Sequence, residues 1–126
     1  MKPHTRNISM ENYIRRYDNI VSSEFCDNMI RQFEFLPHQY EKHSQGEMSF
    51  TQIHLLAHEE WKTQVTHLVN VFKDAVKQYR TDCGIGYETN IWPKKYSFEG
   101  MRFKRYLPDG VDQFGNHVDV ADLESA

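Results

Sequence analysis

Met101-Arg102-Phe103-Lys104-Arg105-Tyr106-Leu107-Pro108-Asp109-Gly110, followed after a short polar stretch by Phe114-Gly115-Asn116-His117-Val118-Asp119-Val120, decides how this chain of 126 residues is read. The first part is aromatic, basic and alternating, the pattern of a strand, and Pro108-Asp109-Gly110 then carries turn chemistry. In an extended backbone alternate side chains share a face. Phe98–Leu107 therefore sorts into one face with Arg102, Lys104 and Tyr106, and a packing face with Met101, Phe103, Arg105 and Leu107. By the same period His117 and Asp119 project together, while Val118 and Val120 turn the other way into packing. A neutral imidazole and a hard carboxylate aimed at one point make two thirds of the two-histidine, one-carboxylate set that holds Fe(II) and leaves the opposite positions open. The same donors also accept Mn, Co, Ni or Zn.

His-x-Asp is a short pattern, and its plain alternative is a strand-end histidine hydrogen-bonded to the neighbouring aspartate without a metal. The context narrows it. Tyr106, Pro108, Gly110, His117 and Asp119, with the histidine eleven residues after the tyrosine, resemble the iron- and 2-oxoglutarate-dependent dioxygenase superfamily, most of all its prolyl 4-hydroxylase-like branch. The resemblance is specific over residues 98–120 and weaker before them. It implies an α+β fold: two helices packed on the first strands of a double-stranded, jelly-roll-like β-helix. It also implies Fe(II) held by His117, Asp119 and a distal histidine, with 2-oxoglutarate and O2 as co-substrates and ascorbate as an auxiliary reductant. The implied reaction couples oxidative decarboxylation of 2-oxoglutarate, giving succinate and CO2, to hydroxylation of an unactivated C–H bond in a protein or small-molecule substrate. Within that site Tyr106 faces the 2-oxoglutarate pocket, and Arg102 and Lys104, of the same parity, offer positive charge to a carboxylate. The plain alternatives are a packed aromatic and a solvated edge strand whose charges discourage pairing.

In this family a glycine-rich hairpin, the distal histidine and a basic residue for the far carboxylate follow the His-x-Asp strand, and the sequence contains none of them. Residues 1–126 therefore read as one incomplete domain, with 1–97 an α/β support and 98–126 the first core strands. Residues 87–120 supply three or four of the roughly eight strands of a closed barrel, so unpaired edges, little turnover from these residues alone, and self-association through the open edge are expected. A non-catalytic binding module on the same scaffold is the alternative. A hydrolytic or structural metal site has less support, because two ligands rarely suffice and no activated nucleophile accompanies them.

The rest of the chain is read from periodicity. Tyr13–Val21 has the β-branched and aromatic content of a short strand. Ser22 or Ser23 then suits an N-cap, and Phe25, Met29, Phe33 and Leu36 fall at helical spacing, giving a helix over Ser23–Phe35 ended by Pro37. His38–Phe50 reads as a loop around Gly46, with a short extended piece near Met48–Ile53. Trp61, Val65, Leu68, Val69, Phe72, Val76 and Tyr79 define a longer helix over His58–Arg80 that exits through Gly84 and Gly86. Residues 81–97 form a long connection, extended at Tyr87–Trp92, and either solvated or substrate-facing. His58-Glu59 begins like a zinc-protease motif, but Lys62 stands where the second histidine belongs. His4, His38, His43, His54, His58 and His67 are assigned to the surface.

A net charge of −3 gives no general pull toward nucleic acid or an anionic membrane. Hydrophobic residues at 39% suffice for one core. Cys26 and Cys83 fit neither a Cys-x-x-Cys pair nor a disulfide framework and are read as free thiols. With no signal-peptide core and no stretch near the ~20 apolar residues that span a bilayer, a soluble, cytoplasmic protein is expected.

Overall fold

The computed structural model describes residues 10–86, 92–93 and 95–119. Its architecture is α+β, with two helices on one face of an open antiparallel sheet. The extended piece expected at Tyr87–Trp92 falls, save Trp92, outside the described residues, as does Val120.

Helix α1 spans Ser23–Phe35. Its start is set by Ser22, whose hydroxyl accepts from the Phe25 amide at 3.1 Å and so satisfies one of the helix's orphan donors. Pro37 begins a short 3-10 turn rather than prolonging the helix. Helix α2, Lys62–Asp82, starts later than the stripe suggests, because Leu55–Ala57 and Glu59–Trp61 are 3-10 turns that bring Trp61 under the sheet first. It ends as a Schellman motif: the amides of Gly84 and Ile85 donate to the carbonyls of Thr81 and Arg80, with Gly84 at φ +67°. No described helix is long and apolar enough to cross a membrane.

The sheet is built on β2, Met48–His54. Strand β1, Glu41–Gln45, lies on one side and joins β2 through Gly46-Glu47. A positive φ at Gly46 alone, the first central position, is the pattern of a type II′ hairpin turn. On the other side β3, Arg102–Arg105, pairs with 51–54, and β4, Gln113–Phe114, pairs with 48–49. The chain leaves the ladder at Tyr106 and returns at Gln113 through the turn at Pro108-Asp109-Gly110.

Three expectations are corrected. Tyr13–Val21 is not a strand: Met10–Tyr13 is a 3-10 turn, and the following residues pair with no strand among the described residues. They are tied to the end of α2 instead, Arg15 donating to the Asp82 carbonyl and Tyr17 to the Asp82 carboxylate. His38–Phe50 is not a loop throughout: the extended piece expected near Met48–Ile53 is β2, but β1, Glu41–Gln45, lies where loop was expected. Among the described residues, 87–119 supply two strands rather than three or four.

Period two assigns the sheet its faces. Ile53 and Phe103 point to the helices, where Ile53 and Trp61 are fully buried among Met29, Phe33 and Leu55. Arg105 shares that side, its guanidinium lying over Phe33 and Tyr40 at 5.4 and 5.2 Å. The face of Met101, Phe103 and Arg105 is thus the packing face, as the alternation indicates, but the strand is only Arg102–Arg105 and Leu107, beyond its end, is exposed rather than packed. The opposite face, which no helix covers among the described residues, carries the candidate site.

Candidate functional site

On the uncovered face the register puts His43, Phe50, Lys104 and Phe114 side by side, with Tyr106 continuing the parity of Lys104. Phe50 is buried there to 3% exposure, because rings and an ammonium close over it. His43 stacks on it at 4.9 Å between centroids, and Tyr106 and Phe114 lie at 5.5 and 6.1 Å. Lys104 Nζ stands over both Phe50 and Phe114, at 4.5 and 5.2 Å from their centroids. His117 completes the cluster, its ring 4.0 Å from that of Phe114. Tyr106, Lys104 and His117 are therefore gathered on one aromatic floor. Arg102 shares their face but pairs with His54, two residues further along β3, about 7 Å away by strand rise.

His117 reaches this position through Gly115. The Gly115 amide donates to the Glu47 carbonyl at 3.1 Å, and a side chain at 115 would meet Glu47 Cβ at 2.8 Å. Only glycine lets the segment close on the β1–β2 turn. A shallow cleft of about 280 Å3 results, lined by Gln45, Glu47, Met48, Phe114, Asn116 and His117.

His117 and Asp119 come together as their spacing implies, though on irregular chain rather than a strand. Val118 is 75% exposed and does not pack, which corrects the inward direction expected of it. His117 Nδ1 lies 2.9 Å from the Gly115 carbonyl oxygen. That oxygen only accepts, so Nδ1 carries a proton and donates it. His117 Nε2 in turn lies 3.2 Å from Asp119 Oδ1. With the neutral ring protonated at Nδ1, two lone pairs face each other across that gap and repel unless a cation stands between them, either a second ring proton or a metal ion. Two adjacent ligands each about 2.1 Å from one ion and at a right angle are about 3.0 Å apart, close to the spacing found here. A ligating histidine also characteristically donates its other ring N–H to a carbonyl. The pair thus fits two positions of a metal site. As a bare ion pair it contributes little, both side chains being well exposed. Among the described residues no group of three His, Cys, Asp or Glu is placed to hold a metal.

The loop between β3 and β4 is fixed by two carboxylates. Asp109 accepts from the amides of Val111 and Asp112 at 2.8 and 3.0 Å. Asp112 accepts from the Leu107 amide at 2.7 Å, the Ser49 hydroxyl at 2.9 Å and Lys42 Nζ at 3.3 Å. The Leu107 amide first, then Ser49 and Lys42, hold the Asp112 carboxyl below its ordinary range. A depressed folded-state pKa contributes stability that is present above the unfolded value, about 4, and is lost as pH falls through the folded value. Asp112→Asn is accordingly expected to be less stable than the parent at pH 7, with the difference vanishing in more acidic solution. Urea melts across pH 2–7 check this, and a constant difference at every pH would contradict it.

The other side chains singled out by spacing stay apart. His54, His58 and His67 do not converge on a metal site among the described residues. His43 is half-buried on Phe50 rather than free at the surface, and both cysteines are free thiols. Phe50, Phe114 and His43 carry no site signal in the sequence, where only the alternation Met48, Phe50, Gln52, His54 marks the face of β2 they share. The chain matches no family model, no curated protein and no solved structure.

Proposed function

We propose that this chain supplies two metal ligands and the co-substrate face of an Fe(II)- and 2-oxoglutarate-dependent oxygenase, its sheet forming the opening strands of a double-stranded β-helix. The observation that carries the reading is the histidine's own hydrogen bonding: Nδ1–H is committed to Gly115, and Nε2 is turned on Asp119 at 3.2 Å. Fe(II) in such a site supplies the O2 activation that couples 2-oxoglutarate decarboxylation to C–H hydroxylation. His117 and Asp119 hold the ion, and Gly115 fixes the ring and its tautomer. Phe50 gives the floor a buried apolar centre, and Phe114 stands half-exposed at its rim. Lys104 offers a cation to a carboxylate of the co-substrate, and Tyr106, on the same floor, offers a hydroxyl to it. Arg102, one step further along the same face, is the more distant of the two cations and is assigned the weaker part in holding the co-substrate.

Lys104→Ala is expected to weaken 2-oxoglutarate binding about tenfold, the scale of one partly exposed charge-assisted hydrogen bond. Arg102→Ala should change it by less than about threefold, half a kcal/mol or so. Calorimetric titration with 2-oxoglutarate in the presence of Mn(II) measures both, and equal losses in the two variants would remove Lys104 from the co-substrate site. A second reading is a non-catalytic binding module on the same face, supported by the cluster of Phe50, Phe114 and Lys104, which offers rings and a cation to a ligand without any metal. Metal-dependent succinate formation separates the two.

A further inference from the structure

Strand β3 has one edge on β2, and among the described residues nothing pairs with the other. Which backbone groups that edge presents follows from one hydrogen bond. The Leu55 amide donates to the Met101 carbonyl at 2.9 Å, one residue beyond the His54↔Arg102 pair. Hydrogen-bonded pairs alternate along an antiparallel ladder, so Phe103 and Arg105 turn their N–H and C=O toward β2 while Arg102 and Lys104 turn theirs outward. Beside this edge runs a groove of about 310 Å3, lined by Ile30, Phe33 and Glu34 of α1 and by Phe103, Lys104, Arg105 and Tyr106. Ile30 is 52% exposed there.

Charge identifies what the edge fits. Three of the four residues of β3 are cations, and no described residue forms an ion pair with Arg102, Lys104 or Arg105. Arg105 Nε is buried without an acceptor. A second copy of β3 laid antiparallel would set these cations against the same cations, which is destabilising across a sheet. We propose that the outer edge of β3 binds, by strand addition, an extended segment of a partner protein in which acidic and apolar residues alternate. Its backbone pairs with Arg102 and Lys104, its carboxylates lie on their side of the sheet, and its apolar residues enter the groove against Phe103 and Ile30. Glu34 is the one acidic residue of the lining and belongs to the helix wall, so the strand side of the groove carries only cationic, aromatic and apolar side chains.

The test uses the whole chain and a labelled ten-residue peptide alternating Glu and Val, with a Lys–Val peptide of equal length as control. The Glu–Val peptide is expected to bind, more weakly as salt is raised, and to slow hydrogen exchange of the Arg102 and Lys104 amides. Lys104→Pro removes an outward N–H without touching the inward ladder and is expected to abolish binding. Ile30→Glu, on an exposed helix position, is expected to weaken it about tenfold and decides the matter should the proline variant fail to fold. No binding, equal binding of both peptides, or Arg102 and Lys104 amides already protected by self-association of the free chain would each overturn the proposal.

Discussion

Trp61→Ala is expected to remove about 3–5 kcal/mol of stability by loss of a large buried ring. The ring is fully buried against Phe103, edge to face at 6.0 Å, and its Nε1–H donates to Gln39 Oε1 at 2.9 Å inside the core. Truncation therefore also strands a buried amide oxygen, worth roughly a further 1–3 kcal/mol. Domains of this size hold only about 5–15 kcal/mol in all, so most of the variant should unfold near physiological temperature. Trp61→Phe keeps much of the packing and loses the hydrogen bond, so a cost nearer 1–3 kcal/mol is expected. Urea denaturation followed by far-UV circular dichroism gives both values. Equal costs for the two variants would mean that ring volume is not what the core needs here.

The consequence reaches the site. Phe103 packs on Trp61 from one face of β3, while Lys104, the next residue, stands over Phe50 and Phe114 from the other. A core that holds β3 in register is what keeps the basic and aromatic groups together.

What could be read from the sequence tracks how local its cause is. Helix α1 has the bounds expected of it because cap, apolar stripe and terminating proline, Ser22 to Pro37, are all written within sixteen residues. The two faces of β3 follow from alternation alone, and so does the separation of Lys104 and Tyr106 from Phe103 and Arg105. Strand β1 was not legible, because Glu-Lys-His-Ser-Gln has no apolar alternation and is extended through its pairing with β2. Tyr13–Val21 failed in the opposite sense: it has strand composition and, among the described residues, no strand beside it. At the site, the meeting of His117 with Asp119 was legible from spacing. The aromatic floor was not, since Phe50 and Phe114 are 64 residues apart and are joined by the sheet.

The largest functional effect is expected at the His117–Asp119 pair. Either His117→Ala or Asp119→Ala removes one of the two proposed ligands, and on the order of a hundredfold or more in metal affinity should go with it, beyond the 10–100-fold typical of supporting partners. Both side chains are well exposed, so neither change should cost the fold much. Affinity should also fall in acid, because the metal must displace protons from its ligands.

The direct measurement is an anaerobic titration of the chain with Co(II), a paramagnetic substitute for Fe(II), with and without 2-oxoglutarate, followed through the histidine ring resonances. One site is expected, weak alone and tighter with the co-substrate, with the His117 signals shifted first and lost together with binding in both alanine variants. Binding that leaves the His117 resonances in place, or that survives Asp119→Ala undiminished, would contradict the account and leave the pair as a surface ion pair without a metal.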